Sequence, residues 1–212
     1  YYDYKNIQVT TLVVATQIVT NAGAAKIKGV DIDLVAVPVK NLTINAAVNV
    51  ADGTYSSFPN GPLNLPLPPA ARLPIPPGCG NIAYPTGTGP LANIACDLSG
   101  NDTVFTPKFS ANLSATWRIP ARFPVDLSAS WSHKSSFFFE ADNSPFVRQK
   151  PTDVINASVQ VNSPDERYSL RLWAKNLGNR EMYSYITQSG TAGIKYSTAP
   201  PRTYGVTVSA HF

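Results

Sequence analysis

The chain has 212 residues, a formal net charge of +4 and 14% charged residues, well below the roughly 25% of ordinary soluble domains. Mean hydropathy is -0.08 and no apolar run approaches the roughly 18 residues a membrane helix needs, which excludes a helical membrane bundle. A transmembrane barrel exposes only every second strand residue to lipid, so low charge with modest hydropathy suits it; a soluble β-sandwich stays open on composition alone.

Period-two alternation, the mark of strands, recurs along the chain. The first candidate strand runs from about Tyr1 to Leu12 and sets Ile7 and Val9 against Asn6, Gln8 and Thr10. The second, about Ala24 to Val37, puts Val30, Ile32, Leu34 and Ala36 opposite Gly29, Asp31 and Asp33, and ends in a tight turn at Pro38-Val39-Lys40-Asn41. The third opposes Leu42, Ile44, Ala46, Val48 and Val50 to Thr43, Asn45 and Asn49 and fades near Tyr55. The fourth, about Phe105 to Ile119, sets Phe109, Ala111, Leu113, Ala115 and Trp117 against Ser110, Asn112, Ser114, Thr116 and Arg118.

After Pro120–Pro124 comes the fifth, with Val125, Leu127, Ala129 and Trp131 opposite Asp126, Ser128, Ser130 and Ser132. The sixth alternates Ile155, Ala157, Val159 and Val161 with Asn156, Ser158 and Gln160. The seventh follows the Ser163-Pro164-Asp165-Glu166 turn and alternates Tyr168, Leu170, Leu172 and Ala174 with Ser169, Arg171 and Lys175. The last puts Tyr204, Val206, Val208, Ala210 and Phe212 on one face and Gly205, Thr207, Ser209 and His211 on the other.

Connectors alternate in length: Val13 to Gly23 is longish, 38–41 tight, 57–104 very long, 120–124 tight, 140–147 moderate, 162–167 tight and 178–199 long. An antiparallel meander places successive connectors on opposite rims, so this order gives one rim of turns and one of loops, as in outer-membrane barrels. The expected fold is an all-β antiparallel transmembrane meander with apolar residues facing lipid and the Ser/Thr/Asn/Asp/Arg face lining a wet lumen. Trp117, Trp131, Phe123, Tyr168 and Phe212 are expected as an aromatic girdle near the tight-turn rim. Trp173 falls on the lumenal register and breaks that pattern.

Three segments resemble the TonB-dependent outer-membrane receptors. Asn21-Ala22-Gly23 leading to Gly29-Val30-Asp31 is similar to the family's Asn-Ala-Gly entry to a strand carrying Gly-Val-Glu, with Asp for Glu. Lys175-Asn176-Leu177-Gly178-Asn179 resembles its Lys-Asn-Leu-x-Asn segment, and Pro200-Pro201-Arg202-Thr203-Tyr204-Gly205 its approach to a terminal aromatic strand. The resemblance covers nearly the whole chain apart from 57–104. It implies that 1–212 is the C-terminal part of one barrel domain of about 22 strands, with 57–104 an inserted Pro-rich extracellular loop.

The chain opens at Tyr1-Tyr2-Asp3 with no initiator Met and no secretory leader, so upstream sequence is expected. The resemblance implies a plug N-terminal to Tyr1 and energised uptake of a small ligand, powered by the TonB energy-transducing complex through that upstream part. Iron siderophores, haem, cobalamins and oligosaccharides are all served by this architecture. It also implies the outer membrane of a Gram-negative bacterium, contact with lipid and lipopolysaccharide, and recognition of the terminal strand (Tyr204, Val206, Val208, Ala210, Phe212) by the barrel assembly machinery.

Cys79 and Cys96, the only cysteines, lie in the long loop without metal-ligand spacing or a nearby His, and a disulfide is expected in an oxidising compartment. That loop holds ten of the nineteen prolines, yet Leu63, Leu65, Leu67, Leu73 and Ile75 recur in it; disorder and a structured cap over the barrel mouth are both open. Arg72, Arg148, Lys150 and Lys195 fall at the long-loop rim as candidate contacts for an anionic ligand, and Arg202 is read as an anchor for the last strand. No cofactor or phosphate-loop motif, catalytic constellation or basic-aromatic nucleic-acid patch stands out, and His133 and His211 fall at opposite rims. Two other readings remain: a complete eight-stranded structural or adhesin barrel, and a soluble β-rich binding module.

Overall fold

A computed structural model of the chain describes residues 1–13, 16–21, 23–63, 79–81, 94–189 and 193–211. Eight strands form one antiparallel meander in chain order: β1 (Tyr2–Lys5), β2 (Ala24–Val39), β3 (Leu42–Ser57), β4 (Phe109–Ile119), β5 (Val125–Lys134), β6 (Thr152–Asn162), β7 (Tyr168–Lys175) and β8 (Thr203–Ala210). The sheet is open: β1 and β8 are its edges and do not pair with each other.

Register keeps the two faces separate across the whole sheet. Asn45, Ser114, Ser130 and Asn156 lie in one cross-strand row, as do Thr43, Thr116, Ser128, Ser158 and Trp173. Hydrogen bonds run along this polar face: Asn49 donates to Asp31, Asn45 to Ser114 at 3.4 Å, and Asn156 to Ser130 at 3.1 Å. On the other face Val30, Ile32, Leu34, Leu113, Trp117, Ile155, Val159, Leu170, Leu172, Val206 and Val208 are all exposed. The buried apolar clusters are instead at the loop rim.

Three turns join strands on one rim, between β2 and β3, β4 and β5, and β6 and β7. The first is the two-residue Lys40–Asn41 hairpin, where Asn41 takes φ +66°, a conformation Asn tolerates. Pro38 therefore lies within the strand, at the register shift between Ala36 and Val39, where a residue without an N–H is accommodated.

Two expected strands are shorter than their alternation. Asn6 at φ +56° ends β1, and Gln8–Val13 folds back on Thr16–Asn21 as a separate hairpin rather than extending the wall. The fourth strand starts at Phe109, not Phe105: Phe105 has φ +56° and Pro107 has no N–H to give the ladder. The long rim also carries a second hairpin, Tyr183–Ser189 with Gly193–Thr198.

Candidate functional site

The rim above the polar face is built from several loops. Within the long insertion, Gly61–Leu63, Ile94–Cys96 and Cys79–Asn81 form a small three-stranded sheet, in which Cys79 pairs with Cys96 and is bonded to it, Cα–Cα 4.1 Å. The returning chain lies beside the upper part of β3: Leu98 N–H donates to Phe58 O, Gly100 N–H to Tyr55 O and Thr103 N–H to Gly53 O. Ala25, Tyr55, Phe58, Cys96, Leu98 and Ala141 form a buried cluster. Ala25 and Tyr55 belong to the polar register of β2 and β3, so this flap is anchored on the polar side of the sheet.

Asn143, at φ +52°, clamps the flap's return to the next loop by mimicking a strand. Its Oδ1 accepts from Asp102 N–H at 2.7 Å and its Nδ2 donates to Asp102 O at 3.0 Å. Glu140 Oε1 accepts from Thr187 Oγ1 at 2.6 Å and from Gln188 N–H at 3.0 Å, which joins that loop to the Tyr183–Thr198 hairpin. Hydrogen bonds and a second buried cluster of Phe139, Val147 and Ile186 thus make these loops one layer.

The Lys175–Asn179 and Pro200–Gly205 segments meet at the base of that layer. Asn176, 4% exposed and at φ +50°, accepts from Arg180 N–H at 2.8 Å, donates to Arg180 O at 2.9 Å, and its own N–H donates to Asn156 Oδ1. Asn179 accepts from Arg202 N–H at 3.1 Å. The two asparagines reverse the chain leaving β7 and fix where β8 starts; Arg202 reaches Leu177 O only at 3.5 Å.

Of the rim candidates, Arg148 donates to Ser136 Oγ at 2.6 Å and lies 5.7 Å from the Phe138 ring centroid. Lys150 and Lys195 are exposed at the same rim. Arg72 and Phe212 lie outside the described residues. Tyr204, Val206 and Val208 are exposed along one face of the edge strand, with Ala210 on the same register.

The aromatic girdle is only partly at the turn rim. Trp117, Phe123 and Tyr168 are there, whereas Trp131 pairs with Leu113 and Ile155 high on β5. Six residues from Val125 carry it roughly 20 Å toward the loops. There Trp131 Nε1 donates to Asp153 Oδ1 at 3.1 Å, His133 Nδ1 lies 2.9 Å from the same oxygen, and Phe109 packs on the imidazole at 5.7 Å. His211 is far off at the turn rim, its N–H donating to Arg167 O.

Trp173 is the exception that the polar face keeps. Its indole lies across Gly205 on β8, where a Cβ would come within 2.5 Å of Cζ2, and its Nε1 donates to Thr207 Oγ1 at 3.2 Å. Around it is a pocket of about 410 Å3 lined by Ser130, Asn156, Ser158, Arg171, Lys175 and Thr207 among others. Sequence alternation located Trp173 but carried no signal for its glycine partner.

An open antiparallel sheet with one polar and one exposed apolar face, turns on one rim and folded loops on the other, is a section of β-barrel wall. A family model described as TonB dependent receptor-like, beta-barrel, matches residues 1–177. The chain belongs to that family. Its fold is similar to the ferric yersiniabactin uptake receptor FyuA from Yersinia pestis, with TM-score 0.69, 17% identity, and coverage of 99% of this chain and 26% of that one. It is also similar to the siderophore receptor PiuA from Acinetobacter baumannii (TM-score 0.62, 15% identity, 95% and 24% covered) and to the copper transporter OprC (0.61, 12%, 99% and 26%). The chain spans about a quarter of the length of these proteins.

Proposed function

We propose that this chain is the C-terminal barrel section of an outer-membrane receptor of a Gram-negative bacterium that takes up a scarce small ligand, a ferric siderophore or similar metal chelate, under TonB power. The observation that carries it is the exposed apolar face on a wall of this family. Each large aliphatic side chain left in water forgoes up to roughly 1.5–3 kcal/mol of burial, so a face that exposes ten of them together with Trp117 favours lipid over water. Phe109 and Trp117 on β4 stand about 27 Å apart along the strand, or about 20 Å along the normal at usual tilt, near the roughly 25 Å apolar band of such barrels.

In this reading the flap stapled by Cys79 and Cys96 is extracellular and leans over the mouth. Lys150, Lys195 and Arg148, together with Arg72, supply positive charge for an anionic ligand and for lipopolysaccharide. The edge strand with Tyr204, Val206, Val208, Ala210 and Phe212 is read by the assembly machinery, since unpaired backbone groups can add to another sheet. The role is transport, not catalysis. A strain lacking the full gene should lose uptake of a radiolabelled ferric chelate and regain it with the gene restored; unchanged uptake across a panel of ferric siderophores and other metal chelates would refute the reading.

A further inference from the structure

We infer that the loop 137–149, between β5 and β6, is a keystone that couples the flap to the 183–198 hairpin, so that the two open and close together as one lid. Its two sides bond to different partners. Toward the flap's return, Phe138 O accepts from Phe105 N–H at 2.9 Å, Ala141 O accepts from Asn101 Nδ2 at 2.9 Å, and Asn143 exchanges two bonds with the Asp102 backbone. Toward the hairpin, Glu140 accepts from Thr187 and Gln188, Ser144 Oγ donates to Gln188 Oε1 at 3.1 Å, and Gln149 Oε1 accepts from Tyr183 N–H at 2.9 Å.

The apolar contacts divide in the same way. Ala141 enters the buried cluster of Tyr55, Phe58 and Leu98 on the flap side, while Val147 is buried with Phe139 and Ile186 on the hairpin side. Phe139 serves both: its ring meets Phe105 edge-on at 5.4 Å and packs in the cluster that holds Ile186. Among the described residues no hydrogen bond joins 94–105 to 183–198 directly, so the loop is the link. Withdrawing the hairpin takes a donor from the buried Gln149, and withdrawing the flap strips Asn143 of both Asp102 bonds. Buried polar groups left without partners are costly, so elements joined in this way open as one cooperative unit. A contact that orders either element therefore orders the other, whatever molecule makes it. Every partner named lies in this chain, and the loop sits between two inner strands of the wall.

The test is amide hydrogen exchange of the full natural chain folded in detergent, read at 94–104, at 183–198 and, as a control, at β5, in the parent, Leu98→Ala and Ile186→Ala. Folding of each variant is checked by mobility without boiling, and the milder Leu98→Val or Ile186→Val stands in for one that does not fold. Leu98→Ala opens a cavity in the flap's cluster and should speed exchange at 94–104 at least about tenfold, with a rise of similar size at 183–198 and none at β5. Ile186→Ala should carry the effect the other way, since coupling between two sites is reciprocal. Adding Asn143→Ala to Leu98→Ala should shrink the hairpin's response while 94–104 stays fast. A rise confined to each variant's own side of the 137–149 loop overturns the coupling, and a hairpin response undiminished by Asn143→Ala overturns the loop's part in it. Exchange at 94–104 that Leu98→Ala leaves unchanged overturns the anchoring of the flap, and a rise shared equally by β5 overturns a lid that opens apart from the wall.

Discussion

Trp173 and Gly205 face each other across β7 and β8, and the indole occupies the volume that any side chain at position 205 would need. A Gly205→Ala methyl would sit 2.5 Å from the ring and push Trp173 off its Thr207 bond. Overpacking of this kind costs about 1–3 kcal/mol. The folded barrel should lose its heat resistance several degrees earlier, and Trp173→Ser in the same chain should restore part of the loss. A Gly205→Ala protein as heat-resistant as the parent would mean that the ring moves aside freely.

Asn176 tests the junction between the two ends of the Lys175–Gly205 segment. It is buried, left-handed, and bonded to Arg180 in both directions. Asn176→Ala strands Arg180's amide and carbonyl and should cost about 1–3 kcal/mol. Because the loss is local, protease cleavage between 176 and 202 should rise before the barrel melts. Equal cleavage of variant and parent would sever the link between this side chain and the loop.

The wall is legible in the sequence because a half-exposed strand must alternate, and Leu113 beside Ser114 or Leu172 beside Arg171 leave little choice of face. Alternation does not say which sheet a strand joins, so Gln8–Val13 reads as wall although Asn6 turns it away. Trp131 stands six residues beyond Val125 and the Pro120–Pro124 turn, a strand rise of roughly 20 Å, so its expected place in the turn-rim girdle conflicts with strand length and not with alternation. The flap's anchoring rests on contacts of Tyr55 and Phe58 with Leu98, which lies far from both in sequence and shares no periodicity with them. The Lys-Asn-Leu-x-Asn segment is recognisable by eye, whereas the bonds of Asn176 and Asn179 that explain it come only from the fold.

The disulfide closes a loop with a sequence separation of 17, a constraint worth about 3 kcal/mol in the chain-entropy picture. Replacing Cys79 and Cys96 together with Ser should leave the wall folded and make residues 57–104 more sensitive to protease. In the parent chain, thiol alkylation should need prior reduction. Alkylation of the unreduced, folded protein would show that the bond is absent in the cell envelope.

Asp97 gives the flap a pH dependence. Its carboxylate accepts from the Ser99 hydroxyl at 2.5 Å and from Ser99 N–H at 2.9 Å, and these bonds hold its pKa below the usual carboxylate range. Ser99 Oγ in turn accepts from Phe58 N–H at 2.8 Å, tying the charge to the buried cluster. A depressed folded value contributes stability that is present above the unfolded pKa of about 3.9 and is lost as pH falls through the lower folded value. Flap protease resistance should be flat from neutrality to about pH 5 and decline below about pH 4. Asp97→Asn should flatten that decline; an acid decline identical in parent and variant would place the titration elsewhere.

Leu113 and Ser114 are neighbours on β4 with opposite environments. Leu113 is 45% exposed on the apolar face opposite Ala46 and Trp131, while Ser114 sits between Asn45 and Ser130 on the polar one. An Arg facing lipid near the middle of a barrel costs about 2–4 kcal/mol, whereas lumenal positions accept charge. Leu113→Arg should therefore sharply reduce the folded fraction recovered from outer membranes or refolded into lipid vesicles, and Ser114→Arg should fold as the parent does. A soluble β-module would have to bury this face, so Leu113→Arg would harm it too, but the parent chain would then be recovered folded without detergent. Equal effects of the two substitutions would mean that the sheet does not separate lipid from water, and the barrel-wall reading would fall with it.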